Sequence, residues 1–137
     1  MFLGEYEHSL DEKFRVVLPS AMRRNLDEQE IERGFVVVPS DTNECLELYP
    51  WELFERRIQD LERTHDPHRN TAAREFLRDY AGRAVRAQCD GQGRILLPES
   101  SRRAVGIERE VQFVGLVRFL EIWAKTRWQA RQDSKGH

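Results

Sequence analysis

The sequence predicts an α+β protein that is rich in β-structure and is built from two related units. A nine-residue pattern occurs twice, at 11–19 and 90–98, and consists of Asp, three residues, Arg, three apolar residues and Pro. The similarity continues at the same offset through two adjacent arginines, as far as Leu26 and Val105. Each unit is too short to bury a stable core alone, so we expect the two units to share one core with pseudo-two-fold symmetry.

The composition favours one domain and excludes a uniformly basic chain. The 137 residues include 34% charged residues, and the net charge is only −2. Residues 1–62 carry 7 Lys and Arg against 15 Asp and Glu, whereas residues 63–137 carry 15 against 9. An acidic half beside a basic half is compatible with a polyanion bound by one face, or with head-to-tail self-association.

The first unit, expected at residues 5–52, shows alternating polarity and short apolar runs bounded by prolines. Glu5 to Leu10 alternates with the period of a strand, and the run that precedes Pro39 is typical of a buried strand. The expected elements are strands at 5–10, 15–18, 35–38 and 45–49, turns at 11–14 and 40–43, and a short helix at 21–26 capped by Ser20.

A helical insert is expected at residues 53–80, packed on the same core. The spacing of Trp51, Phe54, Ile58 and Leu61 predicts one apolar helix face, with Pro50 at the first helical position. A second helix is expected to begin at a Thr71 cap and to end at Gly82. The link between them carries His65 and His68 without further recognisable ligands, and is interpreted as a solvated loop.

The second unit, expected at residues 81–124, repeats the first with a shorter loop. Leu46-Glu-Leu-Tyr49 recurs as Leu120-Glu-Ile-Trp123, five residues earlier than the main offset requires. The expected elements are strands at 85–89, 94–97, 111–114 and 119–123, a turn at 90–93 and a short helix at 100–105. The remaining residues, 125–137, are expected to form a closing helix to about residue 132 and a frayed tail.

The remaining side chains do not indicate an enzyme. Cys45 and Cys89 form no CxxC pattern, and both are expected to be small buried residues of a reducing compartment. No metal set, phosphate loop, cofactor motif or nucleophile–base pair is recognisable, and no small-molecule substrate is expected. We find no signal peptide and no apolar run of membrane-spanning length, so a cytoplasmic protein is expected.

The repeated Asp-x-x-x-Arg turn permits two interpretations. Asp11 and Asp90 are good turn residues, and in the first interpretation they pair with Arg15 and Arg94 only to hold each hairpin together. In the second, each Asp fixes part of the Arg fork and leaves its other N–H groups available for a phosphate or a guanine edge. The duplication favours a polyanion-binding surface, to which the adjacent pairs Arg23, Arg24, Arg102 and Arg103 would contribute.

The same residues carry a resemblance to a known family. Asp-x-Lys-x-Arg-Val-Val-Leu-Pro and Asp-x-x-Gly-Arg-Ile-Leu-Leu-Pro resemble the loop-hinge signature of AbrB-like DNA-binding domains. The two copies, the helical insert, Gly4-Glu-Tyr-Glu-His-Ser-Leu-Asp and the segment 119–128 together resemble the MraZ family of bacterial transcriptional regulators.

The resemblance implies a swapped-hairpin, double-split β-barrel with peripheral helices. It also implies a ring-like homo-oligomer that binds double-stranded DNA in the nucleoid. The expected role is that of a repressor, acting on short tandem promoter repeats upstream of the division and cell-wall gene cluster. The DNA-contacting residues of the family correspond here to Lys13, Arg15 and Arg94.

One residue departs from the family pattern. The second turn keeps Gly91 and Gly93, whereas the first has Phe14 where the family usually has glycine. Glycine adopts a positive φ without steric cost and phenylalanine does not. Either the first turn therefore has a different backbone, or Phe14 is strained or used in a contact. A ring that binds protein rather than DNA is the alternative function.

Overall fold

The computed structural model describes residues 1–136, which form eight β-strands and six α-helices. The α+β, β-rich fold class predicted from the sequence is confirmed. The strands are β1 (Glu5–Ser9), β2 (Arg15–Val17), β3 (Phe35–Pro39), β4 (Leu46–Pro50), β5 (Val85–Ala87), β6 (Arg94–Leu96), β7 (Glu110–Gly115) and β8 (Leu120–Ala124). The helices are α1 (Ser20–Arg23), α2 (Glu28–Arg33), α3 (Trp51–Thr64), α4 (Thr71–Tyr80), α5 (Glu99–Val105) and α6 (Lys125–Lys135).

The two units interlock by exchanging strands. Six strands form one antiparallel sheet in the order β1-β7-β8-β4-β3-β5. The first strand of each unit thus pairs with the third strand of the other, since β1 lies on β7 and β5 lies on β3. The sheet is not closed, because β1 and β5 remain at its two edges. Each unit alone would leave these strands without partners.

The second strands of the two units form a separate two-stranded ribbon. Strand β2 pairs with β6 in an antiparallel register that places Val16 opposite Ile95. Both side chains are buried, at 1% and 0% exposure. This central pair lies close to the pseudo-two-fold axis that the sequence repeat predicts.

Two apolar clusters lie on opposite faces of the sheet. Phe35 and Val37 of β3 belong to the main core, which both units build. Val36 and Val38 point the other way and pack in a second cluster with side chains from α3 and α4. Strand β3 is therefore a continuous apolar run because both of its faces are covered.

Several expected helix boundaries were wrong. Ser20 is the first residue of α1 and makes no capping bond, and α1 ends at Arg23 instead of Leu26. Asn70, not Thr71, caps α4 by accepting a hydrogen bond from the backbone N–H of Ala73. Helix α4 ends at Tyr80, and Gly82 lies inside a following 3₁₀ turn, Ala81–Arg83.

The two strand-terminating prolines also differ from expectation. Pro39 and Pro50 are the last residues of β3 and β4 instead of lying just beyond them. Pro50 was expected at the first helical position, but α3 begins at Trp51 and Pro50 is its N-cap residue. At the other end of the chain, α6 continues to Lys135, so the frayed tail expected from residue 133 was wrong for its first three residues. The last residue of that expected tail lies outside the described part of the chain.

Helix α2 was not expected from the sequence. Asp27 accepts a hydrogen bond from the backbone N–H of Glu30, whose side chain accepts one from the backbone N–H of Asp27. This reciprocal capping box has the local signature Asp-x-x-Glu, which is visible in the sequence.

No helix within residues 1–136 is both long enough and apolar enough to cross a membrane.

Candidate nucleic-acid interface

Asp11 and Asp90 organise the two repeated turns with the same set of bonds. Asp11 accepts hydrogen bonds from the backbone N–H groups of Lys13 and Arg15 and from Arg15 Nε, each at 2.9 Å. Asp90 accepts the equivalent bonds from Gln92 N and Arg94 N at 2.9 Å and from Arg94 Nε at 2.8 Å. These bonds, led by the one from the backbone N–H of the arginine, hold the pKa of each carboxyl below its usual range.

The two turns share one backbone conformation despite their different residues. Phe14 has a φ of 61° and Gly93, at the equivalent position, has a φ of 76°. The backbone N–H of each donates to the carbonyl of the turn's own aspartate, at 3.0 Å in both cases. Phe14 therefore occupies the left-handed region that favours glycine. Gly91 has open space around its Cα and no positive φ, so its position does not require glycine.

Each turn is also bonded to the residue that directly follows β2 or β6 in the other unit. The backbone N–H of Leu18 donates to the Gly93 carbonyl at 2.9 Å, and that of Leu97 donates to the Phe14 carbonyl at 3.0 Å. The carbonyl of the residue with positive φ is thus the acceptor in both cases. The two turns are tied together through the ribbon, and they form one site instead of two separate loops.

Arg23 and Arg102 lie against the turn of the opposite unit. Arg23 Nε donates to the Leu18 carbonyl at 3.2 Å, and its guanidinium lies so close to Gly93 that an added Cβ would stand 2.5 Å from Nη1. Arg102 Nε donates to the Leu97 carbonyl at 2.9 Å, and its guanidinium carbon lies 3.7 Å from the centre of the Phe14 ring. Both arginines are half-buried. Their bonds support the turns, and they also add positive charge directly beside them.

The outer face of the ribbon carries two arginines and two apolar side chains. Arg15 lies opposite Leu96 and Arg94 lies opposite Val17, whereas the central pair points into the core. The side chains of Arg15 and Arg94 are 29% and 26% exposed. Arg94 Nη1 additionally lies 3.8 Å from Asp11 Oδ2, so the two Asp–Arg pairs adjoin each other. Because Nε of each arginine is bonded to aspartate, the planar fork is held in one orientation.

The other predicted DNA-binding residues, Lys13, Arg24 and Arg103, are more exposed. Lys13 projects from the first turn, and Arg24 lies exposed at the end of α1. Arg103 is exposed and pairs with Glu99 of its own helix at 2.7 Å. The segments 11–24 and 90–103 together carry seven basic and four acidic side chains, although the whole chain is net acidic. Positive charge is therefore concentrated around the ribbon.

Sequence reasoning missed the two exposed apolar residues of the ribbon. Val17 and Leu96 are 37% and 52% exposed, although each lies in a run of three apolar residues. The alternation of side chains along a strand could have identified these two residues, because the middle residue of each run must face away from its two neighbours.

A polar network at the junction of α3, α4 and β4 is structural. Glu47 Oε1 accepts hydrogen bonds from Tyr80 Oη at 2.6 Å and from Tyr49 Oη at 3.0 Å, and Arg57 Nε donates to Tyr80 Oη at 2.9 Å. Burial raises the pKa of Tyr80 to about 12, so its hydroxyl stays protonated. This network fastens α3 and α4 to strand β4.

The two cysteines do not resemble nucleophiles. Cys45 is buried and Cys89 is half-buried, and neither is in a disulfide. Burial raises the pKa of both thiols, which disfavours the reactive thiolate. Among residues 1–136, no group of three or more His, Cys, Asp or Glu side chains is placed to hold a metal ion.

Comparison with known proteins extends the resemblance over almost the whole chain. A family described as "MraZ protein, putative antitoxin-like" matches residues 1–79 and 81–135. A protein of Lachnoclostridium phytofermentans named transcriptional regulator MraZ is 35% identical over 130 residues, which cover 95% of this chain and 86% of the relative. The protein of the same name from Syntrophomonas wolfei is 37% identical over 131 residues, covering 93% of this chain and 84% of the relative.

Proposed function

We propose, since the chain belongs to the MraZ family, that it is a sequence-specific DNA-binding regulator of transcription. The relatives are named transcriptional regulators, and the outer face of the β2–β6 ribbon has the chemistry that such a role needs. The observation that carries the proposal is the pair Arg15 and Arg94. Both forks are held by an aspartate on one exposed face of a single two-stranded ribbon.

The shape and charge of this face suit duplex DNA. The major groove of B-DNA admits a two-stranded β-ribbon. An arginine whose Nε is already bonded can still present its terminal N–H groups to the O6 and N7 of guanine or to a phosphate. Lys13, Arg24 and the half-buried Arg23 and Arg102 add positive charge around the ribbon, which favours phosphate contacts.

Titration of promoter DNA with the protein tests this function. The probe is the duplex upstream of the protein's own gene, compared with a shuffled duplex of equal length and composition. We expect tighter binding to the promoter duplex and a linear fall of log affinity with log salt concentration, because phosphate binding releases counterions. Equal affinity for the two duplexes would contradict sequence-specific binding, and would favour the alternative of a protein-binding ring.

The finer features implied by the family resemblance are proposed on the same basis. The protein would act in the nucleoid as a repressor of the division and cell-wall gene cluster, and it would bind tandem promoter repeats as a ring of identical protomers. Two observations support self-association. The halves of the chain carry opposite net charge, and Met1, Leu3, Leu116 and Val117 are exposed together near the β7–β8 connection.

Binding to tandem repeats would depend on the assembly. One protomer offers a single ribbon, and its affinity for one element should lie near the non-specific range of about 10⁻⁴ to 10⁻⁶ M. Linked sites should raise avidity by roughly 10²- to 10⁴-fold. Duplexes with one to four copies of the element should therefore bind progressively more tightly. Equal affinity for one copy and four, or a monomeric mass by light scattering, would contradict the ring.

A further inference from the structure

We propose that Val17 and Leu96 are specificity-determining residues that contact thymine 5-methyl groups in the major groove. The inference rests on the proposed DNA-binding function and assigns a role to two side chains that this function leaves unexplained. It also predicts which bases the ribbon prefers next to the bases that its arginines contact.

The first observation is that these two apolar side chains are exposed to solvent. Leu96 is 52% exposed and Val17 is 37% exposed, whereas the adjacent Ile95 and Val16 are almost completely buried. The two apolar side chains lie on different strands of the ribbon and on the same outer face as the two arginines. Each of these apolar side chains lies opposite one of the two arginines, so a partner that contacts both arginines also meets Val17 and Leu96.

The register gives each arginine an apolar partner. Arg15 lies opposite Leu96 and Arg94 lies opposite Val17. Side chains that lie directly opposite each other on one face of an antiparallel pair have Cβ atoms about 5 Å apart. Successive base pairs of B-DNA are stacked about 3.4 Å apart. An arginine and its apolar neighbour therefore reach the same base-pair step or adjacent steps.

The chemistry of the major groove then selects the bases. Guanine presents two acceptors, O6 and N7, that match an arginine fork, and thymine is the standard base that presents a methyl group there. A side chain without polar atoms gains by covering that methyl group and offers nothing to the amino group of cytosine or adenine. The ribbon should therefore prefer guanine next to thymine at two positions related by its pseudo-two-fold axis.

The charge around Val17 and Leu96 favours DNA over a second protein as their contact. The two segments that build the site hold an excess of three basic side chains, and the aspartates within it are already bonded to arginine. An apolar protein surface would cover both arginines and leave their remaining donors without partners, which is costly. A polyanion with methyl groups on the floor of its groove satisfies both kinds of side chain.

Replacement of thymine by uracil tests the contact, because it removes the methyl group and leaves the base pairing unchanged. The promoter duplex is prepared with thymine or with uracil throughout, and both duplexes are titrated with wild type, Val17→Ser, Leu96→Ser and the double variant. Leu77→Ala, on α4 and away from the ribbon, is the matched control. For wild type and control, we expect affinity to fall roughly fourfold for each buried methyl group that uracil removes.

The Ser variants should bind the two duplexes with a smaller ratio, and the double variant should bind them equally. An unchanged ratio in the double variant would overturn the inference, because the methyl effect would then arise from DNA shape or from other residues. A fall in oligomer mass in the Ser variants would also overturn it, since Val17 and Leu96 would then form a contact between protomers. If wild type does not prefer the promoter duplex over a shuffled one, the proposed function itself fails, and the inference fails with it.

Discussion

The guanidinium carbon of Arg102 lies 3.7 Å from the centre of the Phe14 ring, although the two residues belong to opposite halves of the repeat. The equivalent contact in the other half is between Arg23 and Gly93, where no side chain separates the guanidinium from the turn. Phe14 has a positive φ, as its glycine counterpart does, and it also provides a ring on which Arg102 stacks. Two of the explanations offered for Phe14 therefore apply together: its backbone is strained, and its side chain makes a contact.

This contact predicts an unusual order of stability for substitutions of Phe14. Phe14→Ala removes the cation–π interaction, worth about 0.5–1 kcal/mol, and keeps a Cβ in the left-handed region. Phe14→Gly removes the same interaction but relieves the backbone, and should be more stable than Phe14→Ala by about 1 kcal/mol. Urea unfolding measures both differences. An Ala variant as stable as the Gly variant would contradict a strained backbone at residue 14.

The coupling between Phe14 and Arg102 is a separate prediction. Arg102→Ala should destabilise the wild-type protein more than it destabilises the Phe14→Gly variant, because the stacking partner is absent in the second background. Urea unfolding of the four proteins in this cycle measures the difference. Equal effects in both backgrounds would mean that the stacking contributes nothing to stability.

The two glycines of the second turn should respond differently to alanine. Gly93→Ala places a Cβ at positive φ and against Arg23, and we expect a loss of roughly 1–2 kcal/mol in the free energy of unfolding. Gly91→Ala meets no atom within 4 Å and should change stability by less than about 0.5 kcal/mol. Similar losses at the two positions would show that the turn constrains them equally.

The carboxyl groups of Asp11 and Asp90 should make the stability of the protein depend on pH. Their pKa values are lowered in the folded protein, so their contribution is fully present above the ordinary carboxyl pKa of about 4 and is lost as the pH falls through the lowered values. The stability difference between wild type and the Asp11→Asn/Asp90→Asn variant should be constant from about pH 7 to 5 and shrink below about pH 4.

His8 also makes stability depend on pH, but over a higher pH range than the two carboxyls. Burial lowers the pKa of His8, so its effect on stability begins near the ordinary histidine pKa of about 6.5. This effect should be the same in wild type and in the Asp11→Asn/Asp90→Asn variant, and it should cancel in their difference. A wild-type advantage that persists undiminished below about pH 3 would mean that the carboxylate charges do not support the turns.

The local parts of the site were predictable because they depend on residues close in sequence. Asp11 and Arg15 make their bonds within five residues, and the second copy repeats them, so the pattern predicts both turns. The roles of Arg23 and Arg102 were not predictable, since each depends on a turn in the other unit and hence on how the units interlock. Pairing between β2 and β6 is likewise a tertiary property, and it brings the two arginines onto one face.

Substitution of Arg15 and Arg94 tests the central claim most directly. The comparison measures the affinity of wild type, Arg15→Ala, Arg94→Ala and the control Arg63→Ala for the promoter duplex, together with thermal unfolding of each. Arg63 is a suitable control because it is 76% exposed on α3 and has a similar ion pair, with Asp60 at 3.6 Å.

We expect each ribbon substitution to weaken promoter binding roughly 10- to 100-fold, as the loss of an arginine–guanine contact does, while the control binds normally. The free energy of unfolding should change by less than about 1 kcal/mol, because the backbone bonds to each aspartate remain. Variants that unfold much earlier, yet bind the promoter duplex with wild-type affinity when folded, would contradict the assignment of this ribbon as the DNA-binding surface.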